Sequence, residues 1–246
     1  MRVLGFDTAT SATAVGLMLG DGRLLEARDD PPAGAHPGHA TKLLSMAAGL
    51  LEQEGLGWSE LDMLAVGVGP GTFTGLRVGV ATARGLSQSL GLALTGVSSL
   101  GALALGARGS VSSSDRGAGV LAVIDARRGE VFVAAYDGEG HELLAPRPIA
   151  PGLLADTLAA LGAAVGSWTA VGDGALRYRD AFEAIGVAVP AGDDPRHALR
   201  GGAICELAAE RGSLGGPVDV LPDYRRRPDA EIALVAAAGG GGASDE

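Results

Sequence analysis

Apolar residues with strand or helix spacing follow one another in a fixed order along the first 108 residues. Short apolar runs predict β-strands, and apolar residues that recur every three or four positions predict amphipathic helices. The predicted strands span residues 3–6, 14–19, 24–27, 63–68 and 92–96. The predicted helices lie between the loop 29–38 and Gly55, over residues 75–90, and from Ser98 as the N-cap to about residue 107. The predicted order is βββαβαβα.

The same order begins again after residues 108–118, which read as a flexible linker. Strands are predicted over residues 120–124, 131–136, 142–145, 168–171 and 187–189, and helices over residues 152–161, 175–184 and 195–211. We therefore predict an α/β protein with tandem domains at 1–108 and 109–228, and a disordered tail at 229–246. Two βββαβαβα halves match the plan of the actin, Hsp70 and sugar-kinase (ASKHA, ribonuclease H-like) superfamily.

A glycine-rich loop at residues 69–75 joins the strand 63–68 to the helix 75–90. Its glycines allow positive φ angles or close approach of a neighbour, and Thr72 or Thr74 can cap the helix. A strand, a tight turn and a helix N-terminus can bind an anion. The same composition also suits a connection that serves packing alone, and both interpretations stay open here.

The helix 75–90 is apolar around most of its circumference, with a narrow polar stripe of Arg77, Arg84 and Gln88. Such a helix is covered on two sides, either within its own chain or by a second subunit. The spacing of Gly75 and Gly79 favours close approach of another helix. We predict a partner interface, which also serves a homodimer when the chain is alone, at Leu43, Met46, Leu50, Gly75, Gly79 and Leu86.

The amino-acid composition argues against some classes of protein. The chain has 246 residues, 47% of them hydrophobic, and a net charge of −10, which argues against an electrostatic grip of its own on nucleic acid. Contact with RNA is therefore expected only through a partner. A single cysteine, Cys205, excludes an intramolecular disulfide, and no apolar run reaches membrane-spanning length. We expect a cytoplasmic protein.

Four segments carry a family resemblance by their order and spacing: LGFDTAT (4–10), GPGTFTGLRVG (69–79), IDARRGEVF (124–132) and PDYRR (222–226). Together they resemble the TsaB (YeaZ) family of bacterial tRNA-modification proteins. The resemblance implies a non-catalytic subunit that pairs with its paralogue TsaD through the N-terminal domain, with TsaE as an accessory ATPase. The complex transfers threonylcarbamoyl to N6 of adenosine 37 in tRNAs that read ANN codons.

The superfamily plan also places a nucleotide cleft between the halves. Its predicted remnants are Asp7, Gly69, Gly71, Asp125, Arg127, Gly172 and Gly174. ATP-binding members usually have glycine just after the phosphate-site aspartate, where backbone N–H groups reach the phosphates. Here Thr8 and Ala126 follow the two aspartates, and we expect the cleft to be vestigial. Arg127, two residues after Asp125, also predicts a turn that is held by a salt bridge.

Two enzyme classes are the alternatives: a stand-alone ATP-dependent kinase or phosphatase of the superfamily, and a metal-dependent peptidase. The aspartate turns argue against the first. TsaD uses a His-x-x-x-His pair as metal ligands, whereas this chain has His36-Pro37-Gly38-His39, so we predict no metal site. No cofactor is firmly predicted, and ATP or ADP with Mg²⁺ at the partner interface is left open.

Overall fold

The computed structural model describes residues 1–32, 34–109, 119–160, 168–212 and 218–225. Within these ranges two mixed β-sheets alternate with layers of helices. Most of the predicted linker, at residues 110–118, and the predicted tail at 229–246 lie outside the described residues. No helix in the described part of the chain is long and apolar enough to cross a membrane.

The first sheet has five strands in the order β3-β2-β1-β4-β5. Its strands are β1 (Val3–Asp7), β2 (Thr13–Met18), β3 (Leu24–Asp29), β4 (Met63–Gly69) and β5 (Ala93–Ser98). β1 is antiparallel to β2 and parallel to β4, and β4 is parallel to β5. Three helices accompany this sheet, α1 (His39–Gln53), α2 (Phe73–Leu90) and α3 (Ser99–Gly109). The predicted βββαβαβα order of the first half is confirmed.

The second sheet has four strands in the order β8-β7-β6-β9. They are β6 (Gly119–Arg127), β7 (Glu130–Tyr136), β8 (Glu142–Ile149) and β9 (Trp168–Val171). The helices of this half are α4 (Leu154–Ala160), α5 (Asp173–Arg177), α6 (Arg179–Ala184) and α7 (Gly201–Arg211). The predicted strand at 187–189 forms only a single bridge between Thr169 and Ala188.

Two helix predictions in the second half were wrong in their bounds. The predicted helix 175–184 is divided at Tyr178 into α5 and α6. The predicted helix 195–211 begins only at Gly201, because Pro195–His197 form a separate 3₁₀ turn whose N-cap, Asp194, accepts a hydrogen bond from the Arg196 N–H. The predicted cap at Ser98 is confirmed, since its hydroxyl accepts from the N–H of Gly101 at 3.2 Å.

The side chains of the central strands alternate between two hydrophobic layers. In β1, Val3 belongs to the central core between the sheets, and Leu4 belongs to the outer core under α1 and α2. In β6, Ile124 faces the central core and Val123 faces α4 to α6. The layers therefore run α1/α2, first sheet, α3/α7, second sheet, α4–α6.

Helix α7 follows the second sheet in sequence but packs on β1 and β2 of the first. The contact is backbone against backbone: a Cβ added at Gly16 would lie 2.3 Å from the carbonyl carbon of Gly201. Residues 218–225 also return to the first half, where the Asp223 N–H donates to the Val68 carbonyl at 2.8 Å. The predicted division at residue 108 therefore separates the two sheets but not their helical cover, and the domain bounds stay a prediction.

Candidate functional site

The loop before α2 packs tightly against the turn that follows β1. The Thr72 N–H donates to the Ala9 carbonyl at 2.7 Å, and a Cβ added at Gly71 would lie 2.4 Å from that oxygen. Gly69 has a φ of 109°, which only glycine adopts without strain. Thr72 occupies the N-cap position, but its side chain makes no capping hydrogen bond. These contacts favour the packing interpretation of the loop over the anion-site interpretation.

The predicted close approach of a second helix at Gly75 and Gly79 was wrong. Thr8, in the turn after β1, fills this position from inside the chain. Its hydroxyl donates to the Gly75 carbonyl at 2.7 Å, and Cβ atoms added at Gly75 and Gly79 would lie 1.9 Å and 2.3 Å from Thr8 oxygens. Glycines spaced four residues apart on a helix do allow another part of the protein to approach closely, but here that part is the turn after β1 in the same half of the chain.

The apolar members of the predicted partner interface also face inward. Leu43 and Leu50 are 2% and 5% exposed in the outer core, and Met46 and Leu86 are partly buried against it. Other residues occupy the outward positions of the two helices. They include Leu44 and Ala48 on α1 and Ala81 and Gly85 on α2. The partner surface stays a prediction, and these outward residues replace the buried ones as its candidates.

An exposed aromatic and arginine cluster sits at the start of α2. The Arg77 guanidinium lies 3.7 Å from the centre of the Phe73 ring, and its Nε donates to the Tyr224 hydroxyl at 3.0 Å. The two rings are 5.0 Å apart. Phe73 and Tyr224 belong to two of the segments that carry the family resemblance, and the structure brings those segments into contact.

Asp7, predicted as a remnant of the nucleotide cleft, is sealed inside the protein at 1% exposure. Its carboxylate accepts hydrogen bonds from the Ser99 hydroxyl at 2.5 Å and the Ala9 N–H at 2.6 Å. Burial raises its pKa, while these donors act in the opposite direction. A Cβ added at Gly67 would lie 1.6 Å from the carboxylate, so the backbone of β4 closes the remaining side.

Asp125 has the salt-bridged environment that the sequence predicts. Its carboxylate accepts from the Arg127 N–H at 2.9 Å and lies 3.3 Å from the Arg127 guanidinium and 3.2 Å from that of Arg177. Cβ atoms added at Gly172 and Gly174 would lie 2.1 Å and 2.8 Å from backbone atoms of β6. Both glycines therefore serve helix-on-strand packing.

Among the described residues, cavities lie between the halves. One, of about 330 Å³, is lined by Asp30, Asp173, Asp193 and Asp194 together with Arg28 and His197. Burial raises the pKa of Asp173. The other, of about 370 Å³, is lined by Pro31 and Pro32 and by the Asp125 cluster. Of the four carboxyl groups around the first cavity, Asp30 is paired with Arg28 at 2.7 Å and Asp194 with Arg196 at 2.8 Å.

The two histidines of the HPGH segment differ in solvent exposure. His39 is the first residue of α1 and is 4% exposed, with Nδ1 2.9 Å from the Thr13 hydroxyl, whereas His36 is exposed. Burial lowers the pKa of His39. Within the described ranges, the group of side chains that could hold a metal ion is Asp137, Glu139 and His141, in the exposed turn between β7 and β8.

Comparisons with known proteins cover both halves of the chain. The family model for TsaD, tRNA N6-adenosine threonylcarbamoyltransferase, matches residues 31–161. The tRNA threonylcarbamoyladenosine biosynthesis protein TsaB of Escherichia coli is 32% identical over 202 residues, which are 78% of this chain and 80% of that protein. The chain belongs to the TsaB family. The TsaB protein of Bacillus subtilis is 26% identical over 94% of this chain and 96% of that protein.

A solved TsaB-family structure extends the similarity to the fold. YeaZ from Pseudomonas aeruginosa superposes with a TM-score of 0.71 at 30% identity, covering 91% of this chain and 99% of that one. The predicted α/β fold is confirmed.

Three features of this TsaB-family site were missed from the sequence. They are the Thr8 packing against α2, the Ser99 hydroxyl on Asp7, and the stack of Tyr224 with Phe73 and Arg77. Each joins residues far apart in the chain, so no local pattern signals the contact. The only available signal was that Phe73, Arg77 and Tyr224 fall within the motifs that carry the resemblance.

Proposed function

We propose that this TsaB-family chain is the non-catalytic subunit that pairs with TsaD, and with TsaE, for threonylcarbamoyl transfer to N6 of adenosine 37 in tRNAs reading ANN codons. The observation that carries the proposal is that both aspartate turns of the cleft are occupied by groups of the chain itself. Asp7 is bonded to Ser99 and Ala9, and Asp125 is held by Arg127 and Arg177.

A nucleotide site of this plan needs carboxylate oxygens open to a magnesium shell and backbone N–H groups open to phosphates. Asp7 is sealed, and the Thr72 N–H at the glycine loop already donates to Ala9. Asp125 lines a cavity, but the guanidinium groups of Arg127 and Arg177 lie 3.3 Å and 3.2 Å from its Oδ2 atom. These contacts support a cleft that takes no part in phosphoryl chemistry.

Pairing is proposed to use the outer faces of α1 and α2. The match of the TsaD family model to residues 31–161 supports a partner built on the same plan, and the match includes both helices. With a net charge of −10, the chain is proposed to meet tRNA only through the complex, in the cytoplasm. No cofactor is proposed for the cleft, and binding of ATP or ADP with Mg²⁺ at the boundary with TsaD is left open. A homodimer is proposed for the chain alone.

The competing function is a stand-alone ATP-dependent enzyme. We would assay ATP hydrolysis by the purified chain with Mg²⁺, and tRNA threonylcarbamoylation by the chain alone and after addition of TsaD, TsaE, threonylcarbamoyl-adenylate and tRNA. The proposal predicts no turnover alone, and modification that requires both this chain and TsaD. Steady Mg²⁺-dependent hydrolysis by the isolated chain that is lost on Asp7→Asn would establish the enzyme instead.

A further inference from the structure

The cavities between the two halves adjoin each other. Ser11 and Asp173 line both the first cavity, of about 330 Å³, and the second cavity, of about 370 Å³. Asp173 therefore lies where the two spaces meet. A small molecule bound at this junction can contact the charged groups of the second cavity and extend into the first.

The second cavity has more positive than negative charge at its arginine corner. Arg127 and Arg177 both line it, and each contacts the Oδ2 atom of Asp125 through its Nη1 atom, at 3.3 Å and 3.2 Å. Two guanidinium groups thus share one carboxylate, and their side chains remain 61% and 54% exposed. A pair of arginines with exposed donors is suited to bind the carboxylate of a ligand.

Asp173, the first residue of α5, supplies negative charge beside this corner. Its Oδ1 atom accepts from the Asp125 N–H at 3.0 Å, and no Lys, Arg or His of the described ranges lies within ion-pair distance of it. Burial is the main cause that raises the pKa of Asp173, and Asp125 adds to it, while Arg127 and backbone N–H groups act in the opposite direction. An ammonium group beside Asp173 would favour its ionised form.

Most charged groups of the first cavity already have partners. Arg28 donates to Asp30 and to a backbone carbonyl. His197 accepts the Gly172 N–H at its Nδ1 atom, at 3.1 Å. Asp193 has no ion pair within the described ranges, but it is exposed to solvent. The inner part of this cavity therefore offers little charge to a ligand.

Apolar side chains complete the lining of the first cavity. They are Leu103, Ile124, Leu176 and Leu199. Its volume of about 330 Å³ corresponds to about ten water molecules of about 30 Å³ each. A short uncharged side chain of a few carbon atoms fits such a space.

We propose that these adjoining cavities bind a free α-amino acid with an uncharged side chain. Arg127 and Arg177 hold its carboxylate, Asp173 holds its ammonium group, and its side chain enters the first cavity. The ammonium and carboxylate of an α-amino acid are attached to one carbon atom, and the groups that would bind them here are likewise close together, because all three contact Asp125. A phosphate group lacks the positive charge that Asp173 requires. The proposal goes beyond the proposed function and does not depend on it.

The test titrates the full chain with L-leucine in isothermal titration calorimetry. Two analogues separate the contributions of the charges: 4-methylpentanoate lacks the ammonium group, and 3-methylbutylamine lacks the carboxylate. L-leucine should bind saturably, and each analogue should bind about tenfold more weakly or worse, because each leaves one charged partner of the site unpaired.

Substitutions locate the site. Asp173→Asn keeps the oxygen that accepts the Asp125 N–H but removes the charge, and it should weaken L-leucine binding about tenfold or more. Arg177→Gln should cause a similar loss. The matched controls are Asp180→Asn and Arg147→Gln, since both residues are exposed and line neither cavity, and they should change the affinity less than about twofold. Far-UV circular dichroism and a melting curve establish folding, and Arg127→Gln replaces Arg177→Gln if that variant is unfolded.

The absence of saturable L-leucine binding at millimolar concentrations would overturn the proposal. So would equal affinities of the Asp173→Asn and Asp180→Asn chains. Binding of 4-methylpentanoate as tightly as L-leucine would show a site for carboxylates alone and would contradict the role of Asp173. None of these results bears on pairing with TsaD, which is measured without any amino acid.

Discussion

The packing of α2 on the Thr8 turn predicts opposite effects for the same substitution at two positions of one helix. Gly79 and Gly85 both lie in the interior of α2. A Cβ at position 79 would lie 2.3 Å from the Thr8 hydroxyl oxygen, whereas a Cβ at position 85 would meet no atom within 4 Å. Gly79→Ala should therefore destabilise the protein, and Gly85→Ala should stabilise it.

The magnitudes follow from two competing terms. Alanine is favoured over glycine in a helix by about 0.5–1 kcal/mol, and Gly85→Ala should gain that amount. Forcing a methyl group into a filled site costs about 1–3 kcal/mol. The Thr8 side chain is fully buried and bonded to the Gly75 carbonyl, so it has little room to move. The steric cost should therefore lie near the upper end of its range, and Gly79→Ala should lose about 2 kcal/mol of unfolding free energy in net terms.

Urea denaturation followed by circular dichroism measures both changes. A Thr8→Ala background supplies the decisive control, because removing the hydroxyl removes the clash at position 79. There Gly79→Ala should no longer destabilise, which gives a coupling energy of about 1–3 kcal/mol between the two sites. If Gly79→Ala stabilises the wild-type protein as much as Gly85→Ala does, the Gly79 row does not face the Thr8 turn and the corrected placement of the partner surface is refuted.

Three further predictions concern other parts of the chain. Burial raises the pKa of Asp7 in the folded state above the ordinary value of 3.8. The free energy of unfolding should therefore fall as the pH rises from 3.8 through the folded-state pKa, because the buried carboxyl group ionises. Asp7→Asn should reduce this fall, as measured by urea denaturation at several pH values. Gly16→Ala should destabilise by about 1–3 kcal/mol or more because its Cβ would meet the Gly201 backbone, whereas Gly20→Ala, with open space around it, should change the urea midpoint little. Deletion of residues 239–246, four of them glycine, should leave the melting temperature and TsaD affinity unchanged, and a fall of several degrees would reveal a docking role.

The order of the elements was predictable because apolar residues recur with a different spacing in strands and in helices. Val3 and Leu4 alternate between two cores, and the apolar spacing of α1 shows which of its residues are buried. These patterns do not show which helix or sheet packs against each apolar face. Helix α7 has an apolar face, but nothing in residues 201–211 indicates that the first sheet, rather than the second, lies against it.

The contacts of the candidate site were less predictable, because they also join residues that lie far apart in the chain. Gly75 and Gly79 correctly mark a position where backbones come close, yet a turn more than sixty residues earlier in the chain supplies the contact. The lack of a glycine after Asp7 predicts a cleft without an ATP site, and that stays a prediction. The sequence alone did not reveal the Ser99 hydroxyl that seals this carboxylate, because that contact spans 92 residues.

We propose that the cleft of this chain performs no chemistry in tRNA modification. The most direct test replaces Asp125 by Asn, which keeps the side-chain shape and removes the charge that Arg127 and Arg177 face. Threonylcarbamoyladenosine would be quantified by nucleoside mass spectrometry after reconstitution with TsaD, TsaE, threonylcarbamoyl-adenylate and tRNA. The account predicts the wild-type rate for a folded Asp125→Asn chain that binds TsaD normally. A rate at least tenfold lower, with folding and TsaD affinity unchanged, would contradict it.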